Sequence, residues 1–184
     1  MLQVYQRVSE WNAARYARLY NKELALSLLR EEYKEYLEAT NPVDRLDALC
    51  DMAYVAMGVL WKLDVSDEDM QTAGQHSVQV ISALLDINEL NPVVMTSTYL
   101  DVLEYQKDYP PLVTMNFIIT ACFTEIHGMG VDPIAAMTIV CDSNDSKSVK
   151  RVAPHVKANI DKGENFIPPE PRLQELLMAV KYDA

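Results

Sequence analysis

Glycine is scarce in this chain, five residues in 184, which argues against an all-β protein built on tight turns and against a flexible low-complexity chain. An apolar fraction of 49% suits a globular, helix-rich domain instead. Cysteine is equally sparse. Cys50, Cys122 and Cys141 are odd in number, lack the spacing of a disulfide framework and each lie in an apolar stretch, so they read as reduced, buried thiols. Positive charge is short as well: 16 basic residues against 27 acidic ones leave a net charge of −11, which disfavours duplex nucleic acid and anionic membranes as partners. A polyphosphate ligand stays compatible with that sign where cations stand between it and the acids. Long apolar runs are missing too. The most apolar window, Ala48 to Trp61, is too short to span a bilayer and carries Asp51 in its middle. The opening MLQVYQRVSEWN has no basic stretch followed by an apolar one, so no signal peptide is expected and the cytoplasm is the expected location.

What is present is helical periodicity cut by strong breakers. Val4, Val8, Trp11 and Tyr16/Leu19 recur at roughly the helical period. A second helix is expected from about Lys22 to Ala39, ending before Asn41-Pro42, and a third from Val43–Asp44 to about Leu63. Residues 67–91 read as helical, whereas 93–107 is ambiguous, because Val93-Val94-Met95-Thr96 is strand-like in isolation. After the break at Asp108-Tyr109-Pro110-Pro111, helices are expected over Leu112–His127, from Asp132-Pro133 to about Asp142, and over Leu173–Val180. Short connections between helices of this length predict one all-α domain over residues 1–184, a helical bundle whose core hairpin spans 22–63.

Two helices carry acids where apolar residues belong. On the second, Ser27, Arg30, Glu31, Lys34 and Glu38 form a solvated stripe, and Glu31 and Glu38 receive no function. Ala25, Leu28, Glu32, Glu35 and Ala39 form another stripe flanked by leucines and tyrosines, which places Glu32 and Glu35 toward the interior as neighbours on one face. On the third, Asp51 is the sole charge between Ala48 and Trp61, and a helix apolar all round is a buried one. Asp47 precedes Asp51 by four residues, about 6 Å along the axis on the same face. That stripe runs on to Gly58, where a missing side chain allows close approach. A turn near Asn41 makes the pair antiparallel, so Glu32, Glu35, Asp47 and Asp51 converge on one level of the hairpin. Four carboxylates facing an apolar interior repel one another and are poorly solvated unless a cation offsets them. A hard divalent metal with oxygen ligands, Mg²⁺ or Mn²⁺, fits that donor set.

The segments LLREEYKEYLEA and DALCDMAYVAMG resemble the MazG-like family of all-α nucleoside triphosphate pyrophosphohydrolases, which carries an E-x-x-E pair on one helix and usually E-x-x-D on the next. Glu32 and Glu35 match the first pair and Asp51 the final aspartate. The position three before Asp51 is Ala48, so Asp47 stands in from one residue earlier. The stretch Ser143-Asn144-Asp145-Ser146-Lys147 resembles the family's serine-asparagine-x-serine-lysine segment, which implies that Asn144 and Lys147 contact the nucleotide; KGENFIPPEPRL resembles its end segment. Residues 128–184 then form a nucleotide-contact segment and tail. The resemblance is clear over 22–63 and 128–173.

The resemblance implies Mg²⁺-dependent hydrolysis of a (deoxy)nucleoside triphosphate to the monophosphate and pyrophosphate, as in nucleotide-pool sanitation, by a homo-oligomer. The acids would hold the metal, with Glu32 or Glu35 activating the water. Candidates for the base are Trp11, Asn12 and Arg15 on the first helix, and Tyr33, Tyr36 and Tyr54. Lys147, Lys150, Arg151, Lys157 and Lys162, against the single acid Asp161, make 147–162 the main basic segment. His76, His127 and His155 are scattered and read as structural or exposed. A carboxylate-bridged di-iron protein is disfavoured, because no glutamate has a histidine three residues later. A non-catalytic helical partner-binding module on the same fold is the other alternative, and dUTP, dCTP and modified nucleotides remain equal as substrates.

Overall fold

Several helices begin where a side chain satisfies their first free N–H groups. The computed structural model describes residues 1–88, 91–150, 160 and 162–182; Arg151, His155, Lys157 and Asp161 of the basic segment lie outside that set. Among the described residues there are eight α-helices and no strand: α1 Leu2–Arg15, α2 Lys22–Glu38, α3 Pro42–Leu63, α4 Asp67–Asn88, α5 Thr96–Tyr105, α6 Pro111–Gly128, α7 Pro133–Asp145 and α8 Glu170–Tyr182. The Asn21 side chain accepts from Leu24 N at 2.7 Å to start α2. That of Asn41 accepts from Val43 N and Asp44 N, both at 3.0 Å, with Pro42 at the first position of α3, where no N–H is needed. Asp132 caps α7 through Ile134 N at 3.0 Å. Helix α3 stops at Asp64, which takes the left-handed conformation at φ 55°, and Ser66 caps α4.

The strand-like stretch folds otherwise. Asn91 caps a 3₁₀ turn over Pro92–Met95 that leads straight into α5. Local β propensity yields because Asn91-Pro92 is a helix-start pair and Val93 is fully buried beneath α6.

Helix α3 is the hub. It packs on α2 and α6, and also on α1, α7 and α8, burying Leu46, Leu49, Met52, Met57 and Leu60 completely. Helix α4 lies on α6, and α5 on α2 and α6. One half-buried polar cluster ties the hub together: the Tyr36 hydroxyl accepts from Arg45 Nη2 at 2.6 Å and from Asn91 Nδ2 at 2.8 Å. The same Arg45 nitrogen donates to Glu125 Oε1 at 2.6 Å. No single described helix is long and apolar enough to cross a membrane.

The buried face of α2 differs from the one its pattern predicts. Ala25, Leu26, Leu29 and Tyr36 are buried, while Glu35 and Leu37 are exposed and Glu32 is half-buried. The helix carries leucines on three sides, so its inner face is fixed by contact with α3, and the stripe through Glu32 and Glu35 lies on its margin. Leu49→Ala is therefore expected to cost about 2–5 kcal/mol in chemical denaturation, whereas Leu37→Ala changes stability by about 0.5 kcal/mol or less.

Candidate active site

A cavity of about 320 Å³ lies between α1, α2, α3 and the end of α7. Its wall includes Glu32 from α2, Asp51, Tyr54 and Gly58 from α3, Trp11 and Asn12 from α1, and Asn144 and Lys147 from the end of α7. Residues 130 positions apart in the chain thus share one surface. Arg15, Glu35 and Asp47 do not line it.

The carboxylates nevertheless act on one another. Burial pushes the Asp47 carboxyl well above the ordinary carboxylate range, and the charges of Asp51, Glu170 and Glu35 push it further, with Lys147 opposing. Asp51 is raised in the same way, by burial first and then by Glu32, while Lys147 offsets part of the effect. Oδ1 of Asp47 is buried with no hydrogen-bond partner. The acids predicted to converge are thus electrostatic neighbours. A further one, Glu170 at the start of α8, joins them from the family-like end segment, where sequence reasoning assigns it no role. As they stand, no group of three or more His, Cys, Asp and Glu side chains among the described residues is drawn close enough to hold a metal ion. Asp47 and Asp51 occupy the hub helix, as expected; Glu35 stands at the exposed rim.

Helix α1 holds the Asn144–Lys147 arm. Trp11 Nε1 donates to the Asn144 carbonyl at 2.8 Å. Arg15, only 3% exposed, donates Nη2 to Lys147 O at 3.1 Å and Nε to Ser148 O at 3.3 Å, and its guanidinium lies 4.3 Å from the Trp11 ring centre. Arg15 therefore serves backbone carbonyls of the segment that follows α7. Lys147 Nζ donates to Asn144 Oδ1 at 2.8 Å, so the two side chains of the family-like segment orient each other. Asn144 belongs to the last turn of α7, which runs three residues past the expected end. Gly58 does admit a close neighbour: a Cβ there would stand 3.1 Å from Asn12 Nδ2.

Other candidates fall elsewhere. Tyr33 stacks on Tyr36 at 6.2 Å and both lie outside the cavity, Tyr36 within the Arg45 cluster. His76 and His127 are exposed, and all three cysteines are buried free thiols. Sequence reasoning passed over Tyr16, Tyr20 and Lys62, which also line the cavity, and gave no role to Lys162, which does so too. The aromatic pair could have been found, since Tyr16 and Tyr20 flank the α1–α2 turn directly below Trp11.

Residues 3–77 match the family model of phosphoribosyl-ATP pyrophosphohydrolase. That family falls within the MazG-like all-helical superfamily, so the broader resemblance holds while a specific MazG family is not what the match names. The matched stretch contains Trp11, Arg15 and the acids Glu32, Glu35, Asp47 and Asp51, and stops well short of Asn144 and Lys147. No curated protein and no solved structure matches the chain.

A carboxyl raised on folding holds its proton more tightly in the folded state, so its contribution turns unfavourable as pH climbs from the unfolded Asp value of about 3.9 through the raised one. In the presence of a chelator, Asp51→Asn is expected to melt higher than wild type near about pH 8, with each kcal/mol worth about 2–4 °C in a domain this size. The difference should shrink toward about pH 4. A variant that melts lower than wild type at the higher pH contradicts this account of the charge burden.

Proposed function

We propose that this chain is a Mg²⁺-dependent pyrophosphohydrolase that cleaves a (deoxy)nucleoside triphosphate into the monophosphate and pyrophosphate. One observation carries the reading: on the hub helix, the unpartnered, buried Oδ1 of Asp47 stands beside Asp51, whose own carboxyl faces a cavity. A buried oxygen with no donor costs free energy of about 1–3 kcal/mol unless something pairs with it. The donor set is carboxylate oxygen throughout, the chemistry a hard divalent cation requires, and Glu32, Glu35, Asp47 and Asp51 are the residues that would hold Mg²⁺ or Mn²⁺. When bound, the metal supplies charge neutralisation on the phosphate oxygens and on the departing pyrophosphate.

The chain's own groups do the rest. Lys147, oriented by Asn144, and Lys162 beside it place positive charge where the acidic fold would repel a triphosphate. Glu32 lines the cavity and Glu35 does not, so Glu32 is the group that accepts the proton of the attacking water. Oxygen from that water bonds to the α-phosphorus as the bond to the α,β-bridging oxygen breaks, and pyrophosphate departs with the electron pair. The rings of Trp11 and Tyr54, 5.7 Å apart and edge to face, give the nucleoside an apolar wall. Pyrophosphohydrolysis of a nucleotide is what the matched family's description names. The choice of a nucleoside triphosphate and a homo-oligomeric state rest on the sequence resemblance.

Pyrophosphate release from a panel of nucleoside triphosphates, with phosphoribosyl-ATP included, tests the reading in Mg²⁺, in Mn²⁺ and in chelator. Turnover is expected only with metal, and Asp51→Asn and Glu32→Gln should each lower kcat/KM by at least about 10²-fold. Absence of turnover for every nucleotide in both metals ends the proposal.

A further inference from the structure

The cavity has a second polar end. Along α3 its wall passes from Asp51 through Val55 and Gly58 to Lys62, residues spaced four, three and four apart on one face. Eleven residues of helix put Lys62 about 16 Å from Asp51. On the antiparallel partner the wall runs from Glu32 through Leu28 and Ala25 to Asn21, also eleven residues. The carboxylates, Lys147 and Lys162 thus occupy one end, and Lys62 stands three helical turns away at the other.

The far end is built differently from the near one. Lys62 lies 4.7 Å from the centre of the Tyr16 ring, and Tyr16 in turn lies 5.9 Å from Trp11, so a continuous aromatic surface leads up to the ammonium. Lys62 is half-buried, and burial lowers the affinity of its amine for a proton. Among the described residues, the acids lining the cavity are Glu32 and Asp51, both at the near end. Of the neutral polar side chains in the lining, Asn21 caps α2 through Leu24 N and Asn12 Nδ2 donates to Val8 O at 2.8 Å, while the Tyr20 hydroxyl is buried without a hydrogen-bond partner. The far end therefore offers a strong donor, Lys62 Nζ, beside a flat apolar wall.

We propose that Lys62 is a base-recognition residue that reads the exocyclic group at C6 of a purine or C4 of a pyrimidine, so that the cavity selects the carbonyl of guanine, uracil or thymine at that position over the amino group of adenine or cytosine. This rests on the pyrophosphohydrolase reading for its orientation, phosphates at the carboxylate end and base on the aromatic wall. At that position an ammonium donates to a carbonyl oxygen and meets only another donor in an amino group. A single lysine suits a carbonyl better than a second phosphate, which is ordinarily held by several converging donors.

Two measurements together test it. Equilibrium binding of dGTP, dUTP, dTTP, dATP and dCTP to the full chain, by calorimetry in chelator, is independent of turnover; kcat/KM for the same panel in Mg²⁺ follows. Wild type is expected to prefer the carbonyl bases by about 10- to 100-fold, the worth of one charge-assisted hydrogen bond. Lys62→Met, which keeps the apolar stem, should collapse that ratio toward one, and Lys62→Arg should retain most of it. Equal binding of all five, or a preference for dATP and dCTP, overturns the assignment. So does a Lys62→Met variant that weakens all five equally, or one whose sole marked loss is toward phosphoribosyl-ATP, which would make Lys62 a phosphate ligand. Base preference in binding without turnover of any nucleotide would leave this inference standing and remove the pyrophosphohydrolase reading instead.

Discussion

Helix α3 is almost entirely inside the molecule, and it carries two mutually repelling carboxylates there with it. Five other helices gain their burial by covering α3, so the aspartates cannot be relieved by turning the helix outward without exposing Leu49, Met52 and Met57. Unlike a surface charge, which solvent screens, Asp47 and Asp51 are relieved by what the fold brings to them, and among the described residues Lys147 is a cation that acts on both. The long reach from α7 back to α3 has this as its physical reason. The aromatic and guanidinium contacts of α1 then have theirs, since the arm bearing Lys147 is held by its backbone carbonyls.

Polar residues here divide by whether they face the cavity or brace it. Arg15 is buried yet touches no carboxylate; every bond it makes is to a carbonyl, which fixes the position of the segment after α7 without adding a charge pair. The Tyr36–Arg45–Glu125 cluster braces the opposite side of the hairpin through a charge pair and a hydroxyl instead. A residue of either kind looks the same in one dimension, a basic side chain on an amphipathic helix.

That is also the limit of what the amino-acid order conveys. The helices were legible because their ends are marked by Asn41-Pro42, Asp132-Pro133 and Pro110-Pro111, signals that act within a few residues. Asp51 stood out because a lone charge in an apolar helix has no local explanation. The turn at 92–95 was not legible, since two valines favour strand locally and only the burial of Val93 decides otherwise. The inward face of α2 was misjudged for a similar reason: leucines on three sides leave the choice to the neighbouring helix, and Glu35 came out at the surface. Lys62 carries no mark, and Glu170 only that of the end segment around it, because what distinguishes them is proximity to residues far off in the chain.

The ends of the fold are clasped at a single side chain. Asp142 accepts from Arg7 of α1 at 2.8 Å and from Arg172 of α8 at 2.7 Å, with Asp145 adding a second bond to Arg7. Such half-exposed pairs contribute little to stability individually. Their consequence lies in chain separation. The α2–α3 hairpin can form from local contacts, whereas the cavity wall joins α1 to α7 and α8, more than a hundred residues later. Contacts over that span carry the larger loop-closure cost. The lysine that offsets the hub aspartates is thus supplied by the costlier set of contacts, and the clasp at Asp142 joins the two helices that border its arm in the native fold.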